Sequence, residues 1–183
     1  MKPAQPFGSL ATTAARASCL ALAALASGCS GILGGATGPV QARPVEGWSL
    51  EIGNVQHSRV WTFNGFETCV SEPVPDLQFG AAGLVQGRGT VSVRAGIDVT
   101  GKVPADVEPK PLRKGLLPAE RVSGSQLPVT GCPSPATYVR FSFEVTFDEA
   151  WSTDGFQLDY RTAGVTRTLS WNLPVTTCAP SGC

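Results

Sequence analysis

The chain has 183 residues, of which 42% are hydrophobic and 15% charged, and its 14 basic and 14 acidic side chains balance at neutral pH. This length fits one domain and excludes a large multidomain enzyme. The balanced charge argues against a nucleic-acid-binding protein, whose affinity comes from neutralising phosphates. Glycine and proline, with 21 and 15 residues, stay below the share found in disordered low-complexity chains, so the composition predicts a folded protein.

The N-terminal segment has the pattern of a signal peptide. Lys2 and Arg16 are the only charged residues before residue 43, and an apolar run, residues 17–27, follows Arg16. As a helix this run would be about 17 Å long, too short to cross a hydrocarbon core of about 30 Å. Residues 1–28 are therefore predicted to be a signal peptide that is removed on export.

The apolar run ends in Leu25-Ala26-Ser27-Gly28-Cys29-Ser30, which resembles the lipobox of bacterial lipoprotein precursors. The resemblance covers residues 1–31 and implies that Cys29 becomes the first mature residue and carries lipid, palmitate included. Ala26 departs from the commonest lipobox, which has leucine at this position. An ordinary secreted protein without the anchor is the alternative, and both interpretations predict an extracytoplasmic mature chain. With the anchor, the expected location is the bacterial cell envelope.

Residues 29–44 are rich in glycine and other small residues, which predicts a flexible tether between the lipid and the domain. A frayed N-terminus is the alternative, because its composition would be the same. Residues 45–183 are predicted to form a single domain.

Alternating apolar and polar residues predict β-strands through this domain. Between two of them, Asn64-Gly65 predicts a two-residue hairpin turn, because this pair accepts positive φ angles. Ala163-Gly164 predicts a second turn, and residues 152–155 are predicted to form a loop. The alternating runs are residues 48–52, 59–63, 66–70, 90–99, 138–147, 156–160 and 165–175.

With no helical periodicity in the mature chain, these runs predict an all-β fold. We expect an antiparallel β-sandwich of six to eight strands, immunoglobulin-like in architecture, and a β-barrel is the alternative. The last three predicted strands are expected to follow one another as a meander.

A long proline-rich loop is predicted at residues 101–135, which contain seven of the 15 prolines. Proline removes donors from a strand ladder and so excludes a central strand, and a connection this long is often functional. Its side chains Lys110, Arg113 and Lys114 are candidate contacts for an anionic envelope polymer or lipid headgroups. Acidic residues in the same segment offset much of this charge, so a solvated loop is the alternative.

Cys69, Cys132, Cys178 and Cys183 remain once the signal peptide and Cys29 are set aside, and an even number in an exported chain predicts two disulfides. The expected meander would hold Cys132 and Cys178 about 30 Å apart, which disfavours that pair. Cys69–Cys132 with Cys178–Cys183 is preferred, and Cys69–Cys178 with Cys132–Cys183 stays open.

Candidate catalytic and ligand residues are few. His57 is the only histidine, and no Gly-x-Ser-x-Gly motif accompanies it, so a hydrolase built on His57 is a minor alternative. Asp148, Glu149 and Asp154 lack the spacing of a calcium loop. No metal or other cofactor is predicted.

Tryptophans raise the possibility of carbohydrate binding, because their faces stack on sugar rings. Trp48, Trp61 and Trp171 alternate with polar residues and are predicted to be core. Trp151 falls in the predicted loop beside acidic residues and is the candidate for an exposed binding residue.

The sequence therefore predicts a non-enzymatic binding or structural module, anchored to a membrane by the lipid on Cys29. The expected partner is a protein or an envelope polymer, not nucleic acid. The candidate binding surface combines the 101–135 loop with Trp151. A carbohydrate-binding module and a hydrolase that uses His57 are the alternatives.

Overall fold

A computed structural model describes residues 38–53 and 59–178. This part of the chain contains strands and two short 3-10 helices, Ala119–Arg121 and Gly124–Gln126, but no α-helix. Within it, no helix has the length and hydropathy that crossing a bilayer requires. The strands are β1 (Val40–Ala42), β2 (Leu50–Ile52), β3 (Val60–Val70), β4 (Gln78–Val85), β5 (Val91–Asp98), β6 (Val107–Glu108), β7 (Leu117–Pro118), β8 (Val139–Phe147), β9 (Ser152–Thr162) and β10 (Val165–Thr177).

The strands form two sheets that pack face to face. Sheet A has the order β1-β3-β8-β5-β7, and β6 also pairs with β3. Sheet B has the order β2-β10-β9-β4. Every pairing is antiparallel except that of β2 with β10. The predicted all-β sandwich is thus confirmed, while its immunoglobulin-like character stays a prediction.

The strict alternation of β8 explains why it lies at the centre of sheet A. Its apolar residues all point into the sandwich, where Phe143 lies opposite Phe63 of β3 and Ala95 of β5. A strand paired on both sides satisfies its backbone hydrogen bonds, and its inward aromatic residues bury large apolar areas. The inward set is Val139, Phe141, Phe143, Val145 and Phe147, none of them more than 3% exposed.

Trp171 of β10 joins the two sheets through the core. It is fully buried, and its ring lies 5.8, 5.5 and 5.4 Å from the rings of Phe66, Phe141 and Phe143, all in sheet A. Its indole Nε1 donates a hydrogen bond to the carbonyl oxygen of Glu67 at 3.1 Å. The indole therefore contributes both apolar burial and the polar contact that a buried N–H requires.

The hairpin predicted at Asn64-Gly65 is wrong, because β3 runs without interruption from Val60 to Val70. Gly65 has a φ of +88°, and the register with β8 shifts between Asn64 and Phe66. The pair forms a β-bulge, in which glycine also supplies positive φ. The extra residue keeps Phe63 and Phe66 on the same, inward face.

The turn at Ala163-Gly164 is confirmed. Both residues have positive φ, +49° and +75°, and Thr162 pairs directly with Val165 across a two-residue hairpin. The loop predicted at residues 152–155 is wrong, because these residues begin β9. Gly155 lets the strands approach closely: a Cβ there would lie 2.1 Å from the carbonyl oxygen of Trp171.

The expected meander is also wrong, because β8 lies in sheet A and β9 and β10 lie in sheet B. The preferred pair Cys69–Cys132 is nevertheless confirmed, with a Cα–Cα distance of 5.5 Å. Cys178 is disulfide-bonded as well. Its predicted partner, Cys183, lies outside the described residues.

The folded domain begins earlier than residue 45. Val40–Ala42 form β1, which pairs antiparallel with Thr68–Val70 of β3. The hydroxyl of Tyr160 donates a hydrogen bond to the carbonyl oxygen of Val40 at 3.3 Å, so β1 also contacts sheet B. The C-terminal end of the predicted tether therefore belongs to the sandwich, because its backbone completes the edge of β3.

Candidate functional site

Residues 99–118, which we call the strap, cross the outer face of sheet A twice. The strap leaves β5 after Asp98, passes over β8 and reaches β3, where β6 pairs with Thr62 and Phe63. It then returns across the face to the far edge of β5, where β7 pairs with Gly96 and Ile97. The N-terminal half of the predicted 101–135 loop is therefore ordered. Its two short strands, β6 and β7, lie at sheet edges, where proline is tolerated.

Side-chain hydrogen bonds hold the strap to β3 and β8, in addition to the pairing of β7 with β5. Arg140 of β8 donates to the carbonyl oxygen of Val103 at 2.7 Å. The hydroxyl of Thr62 donates to the carbonyl oxygen of Lys110, also at 2.7 Å. The backbone N–H of Leu112 donates to the carboxylate of Glu144 at 2.9 Å. In each contact a backbone group of the strap pairs with a side chain of the sheet, which satisfies polar groups of a segment without regular structure.

The strap explains why polar side chains are buried on an outward face. Glu144 is 7% exposed although its side chain points away from the core, and Arg94 donates a hydrogen bond to it at 3.5 Å. Gly96 leaves room for the strap, because a Cβ there would lie within 3.4 Å of Leu112 and Leu116. The other buried polar residues of this face are Thr62, Asn64, Asp98 and Ser142.

Asp98 organises the turn with which the strap begins. Its carboxylate accepts hydrogen bonds from the N–H and hydroxyl of Thr100, at 2.9 and 2.6 Å, and from the N–H groups of Lys102 and Val103, at 2.6 and 2.7 Å. Burial alone would raise the pKa of Asp98, but these hydrogen bonds favour the charged form and hold its pKa below the ordinary value. Asp98 is thus a structural anchor that requires its negative charge.

The substitution Asp98→Asn is expected to lower the free energy of unfolding at pH 7 by about 1–2 kcal/mol, because three backbone N–H groups lose a charged acceptor. The wild-type contribution is fully present above the unfolded-state pKa and disappears as pH falls through the lower folded-state pKa. Urea unfolding between pH 7 and pH 2 should therefore show a shallower acid dependence in the variant. Identical slopes for the two proteins would contradict this role of Asp98.

The three predicted basic contacts have different environments. Lys110 and Lys114 are exposed. Arg113 is half-buried and forms ion pairs with Asp106 and Glu108, the second at 3.0 Å. Arg113 therefore braces the strap, while the two lysines extend from a backbone that the neighbouring contacts fix.

The predicted exposure of Trp151 is wrong, because its side chain is only 3% exposed. Its ring lies 6.0 Å from that of Phe63 and 5.9 Å from that of Phe147, inside the core. The residues after it form a strand instead of a loop, which turns the indole inward. Trp48, predicted to be core, is 69% exposed, because β2 begins only at Leu50.

Several sequence predictions fall outside the described residues or find no support within them. Cys29 and His57 both lie outside, so lipidation and the alternative hydrolase stay predictions. Asp148 pairs with Arg59 at 3.0 Å, and Asp154 lies within β9. Across residues 38–53 and 59–178, no group of three or more histidine, cysteine or acidic side chains is placed to hold a metal ion.

Sequence reasoning missed the residues beneath the strap. Asp98 carried one usable signal, since an aspartate two residues before Thr100-Gly101 is typical of a side-chain-capped turn. Glu144 carried none, because an outward polar residue in a strand is expected to be solvated.

No family model matches the chain, and neither the curated proteins nor the solved structures contain a significant match to it.

Proposed function

We propose that this chain is an exported, lipid-anchored protein of the bacterial cell envelope that acts as a non-enzymatic binding module through its strap. One observation carries the proposal: Lys110 and Lys114 are exposed on a segment whose backbone is held by contacts with β3, β8 and β5. A preordered binding segment loses less conformational entropy when its ligand arrives.

The chemistry of the exposed groups favours an anionic ligand. Each lysine ammonium is a compact charge with three donors, suited to phosphate or carboxylate groups that repeat along a polymer. Arg113 is occupied by Asp106 and Glu108 and fixes the residues between the two lysines. We therefore propose an anionic envelope polymer as the partner and Lys110 with Lys114 as its contacts.

The proposed lipid anchor on Cys29 is consistent with a partner in the cell envelope. Gly38, where the described chain begins, lies nine positions after Cys29, and an extended segment of this length reaches about 30 Å. A lipid on Cys29 would thus keep the domain close to a membrane surface. Mass spectrometry of the protein from its native membrane tests this part, and a mature chain that starts elsewhere without acyl mass would contradict it.

The double substitution Lys110→Glu with Lys114→Glu is expected to weaken binding of the full chain, in detergent, to a soluble polyanion such as polygalacturonate by roughly tenfold, about 1.4 kcal/mol. The two glutamates then repel the anionic polymer, and the dependence of the binding affinity on salt concentration should fall. The matched control is Arg43→Glu with Arg59→Glu, two exposed arginines outside the strap. Equal weakening by both double substitutions would contradict a site on the strap.

A further inference from the structure

Two buried polar atoms beneath the strap have no hydrogen-bond partner among the described residues. They are Oδ1 of Asn64 on β3 and Oγ of Ser142 on β8. Both side chains lie on the outer face of sheet A, yet Asn64 is only 7% exposed and Ser142 only 1%, because the strap covers them. A buried polar atom is costly to a fold unless it is hydrogen-bonded, so a partner for both atoms is expected in this place.

The two residues lie directly opposite each other on adjacent strands. Asn64 is the partner of Ser142 in the antiparallel pairing of β3 with β8. Side chains at such positions share one face, and their Cβ atoms are about 5 Å apart. The two oxygens do not bond to each other, but at this spacing both are within reach of one small molecule between them.

Asp106 of the strap determines which atom of the Asn64 amide is left without a partner. Nδ2 of Asn64 donates a hydrogen bond to Oδ1 of Asp106 at 2.7 Å, and the backbone N–H of Asn64 donates to the carbonyl oxygen of Asp106 at 2.8 Å. The reversed amide would place two oxygens in contact, so the amide orientation is fixed. The atom that requires a partner is therefore an acceptor.

The strap encloses this space on both flanks. At Gly65 of β3 a Cβ would lie 2.5 Å from Cα of Ala105, and at Gly96 of β5 a Cβ would lie 3.2 Å from the side chain of Leu116. Gly96 pairs with Ser142 on the other side of β8, so the side chains above that flank are apolar. A partner for the serine hydroxyl therefore has to lie on the β3 side, and it has to be small.

The charges around this space favour a neutral ligand. Arg140 precedes Ser142 by two residues on the same face of β8, and its Nε is a third buried polar atom without a partner in the described chain. This guanidinium disfavours a cation, and the carboxylate of Asp106 disfavours an anion. A small neutral molecule that both donates and accepts hydrogen bonds satisfies an amide oxygen and a hydroxyl, and water has this chemistry.

We propose that the strap and sheet A enclose a binding site for one internal water molecule, which donates a hydrogen bond to Oδ1 of Asn64 and pairs with Oγ of Ser142. The water completes the polar network through which Asn64 holds Asp106, so it helps to fix the strap on the sheet. The inference goes beyond the proposed function, because it depends on the enclosed side chains and not on any ligand of the exposed lysines.

A high-resolution crystal structure of the full chain tests the site directly. We expect an ordered water oxygen about 2.5–3.0 Å from both Oδ1 of Asn64 and Oγ of Ser142. A structure without such a water, or one in which both atoms bond to protein groups instead, would overturn the proposal.

Ser142→Val tests the same site in solution. Its methyl groups fill the space and remove the hydroxyl, so magnetic relaxation dispersion of water should count one long-lived internal water fewer than in the wild type. The backbone amide of Asn64 should exchange about tenfold faster with solvent deuterium, because the Asn64 side chain that holds the strap loses a partner.

The matched control is Ser170→Val, the same substitution at an exposed position of β10. It should leave both the water count and the exchange of Asn64 unchanged, and far-ultraviolet circular dichroism should show native β content in both variants. An unchanged water count in folded Ser142→Val, or an equal effect of the two substitutions, would refute the site.

Discussion

Replacing Cys69 and Cys132 together by alanine is expected to lower the free energy of unfolding by about 4 kcal/mol. The disulfide closes a loop across a sequence separation of 63 residues, and the chain entropy of the unfolded state rises with loop length. The bond also fixes the chain after the strap to the end of β3, where Thr130 and Gly131 donate backbone hydrogen bonds to Val70, each at 3.0 Å. Guanidinium unfolding followed by far-ultraviolet circular dichroism measures the difference.

The comparison is the pair Cys178→Ala with Cys183→Ala. If these two cysteines are bonded as predicted, their loop is short and its removal should cost only about 2 kcal/mol. A larger loss from this pair than from Cys69 and Cys132 would show that the long disulfide does not dominate the stability of the fold.

Trp171→Ala is expected to cost about 3–5 kcal/mol, the usual range when a buried aromatic side chain is truncated in a packed core. The indole contacts three phenylalanine rings of sheet A, so its loss leaves a cavity between the sheets. The carbonyl oxygen of Glu67 also loses its indole donor. Urea unfolding followed by circular dichroism gives the magnitude without depending on tryptophan fluorescence.

Trp48→Ala is the matched control for this substitution. Trp48 is 69% exposed, and surface substitutions usually change stability by less than about 0.5 kcal/mol. A loss of similar size at both positions would contradict the assignment of Trp171 as a core residue that joins the sheets.

Three tryptophans show where alternation predicts burial correctly and where it fails. Trp171 lies in a run of thirteen strand residues, and its inward position followed directly from the pattern. Trp48 belongs to a short run, where the period of two extends past the three residues that pair. Trp151 immediately precedes β9, and its burial depends on the start of a strand that local sequence places too late.

Strand β4 was missed for a related reason. Glycine and alanine occupy four consecutive positions, so the apolar residues that mark alternation are absent over half the strand. Its existence depends on pairing with β9, a contact between segments about 75 residues apart in sequence. Local propensity carries little information about such pairing.

The strap shows the same limit for the candidate site. Its prolines and basic residues were visible in the sequence, and they predicted an irregular segment with Lys110, Arg113 and Lys114 as candidate contacts. Arg113 forms ion pairs while Lys110 and Lys114 are exposed, and this difference depends on the positions of Asp106 and Glu108. It also depends on the course of the strap over Glu144, which is a tertiary contact.

Hydrogen–deuterium exchange of the full chain tests most directly the central claim that the strap is an ordered platform fixed to sheet A. The decisive amides are those of Lys102, Val103 and Leu112, which donate to the buried carboxylates of Asp98 and Glu144. They should exchange at least tenfold more slowly than the amide of Lys114, an exposed residue for which the structure gives no backbone hydrogen bond. Exchange of all four amides at the rate of an unfolded chain would contradict the ordered strap and the binding surface built on it.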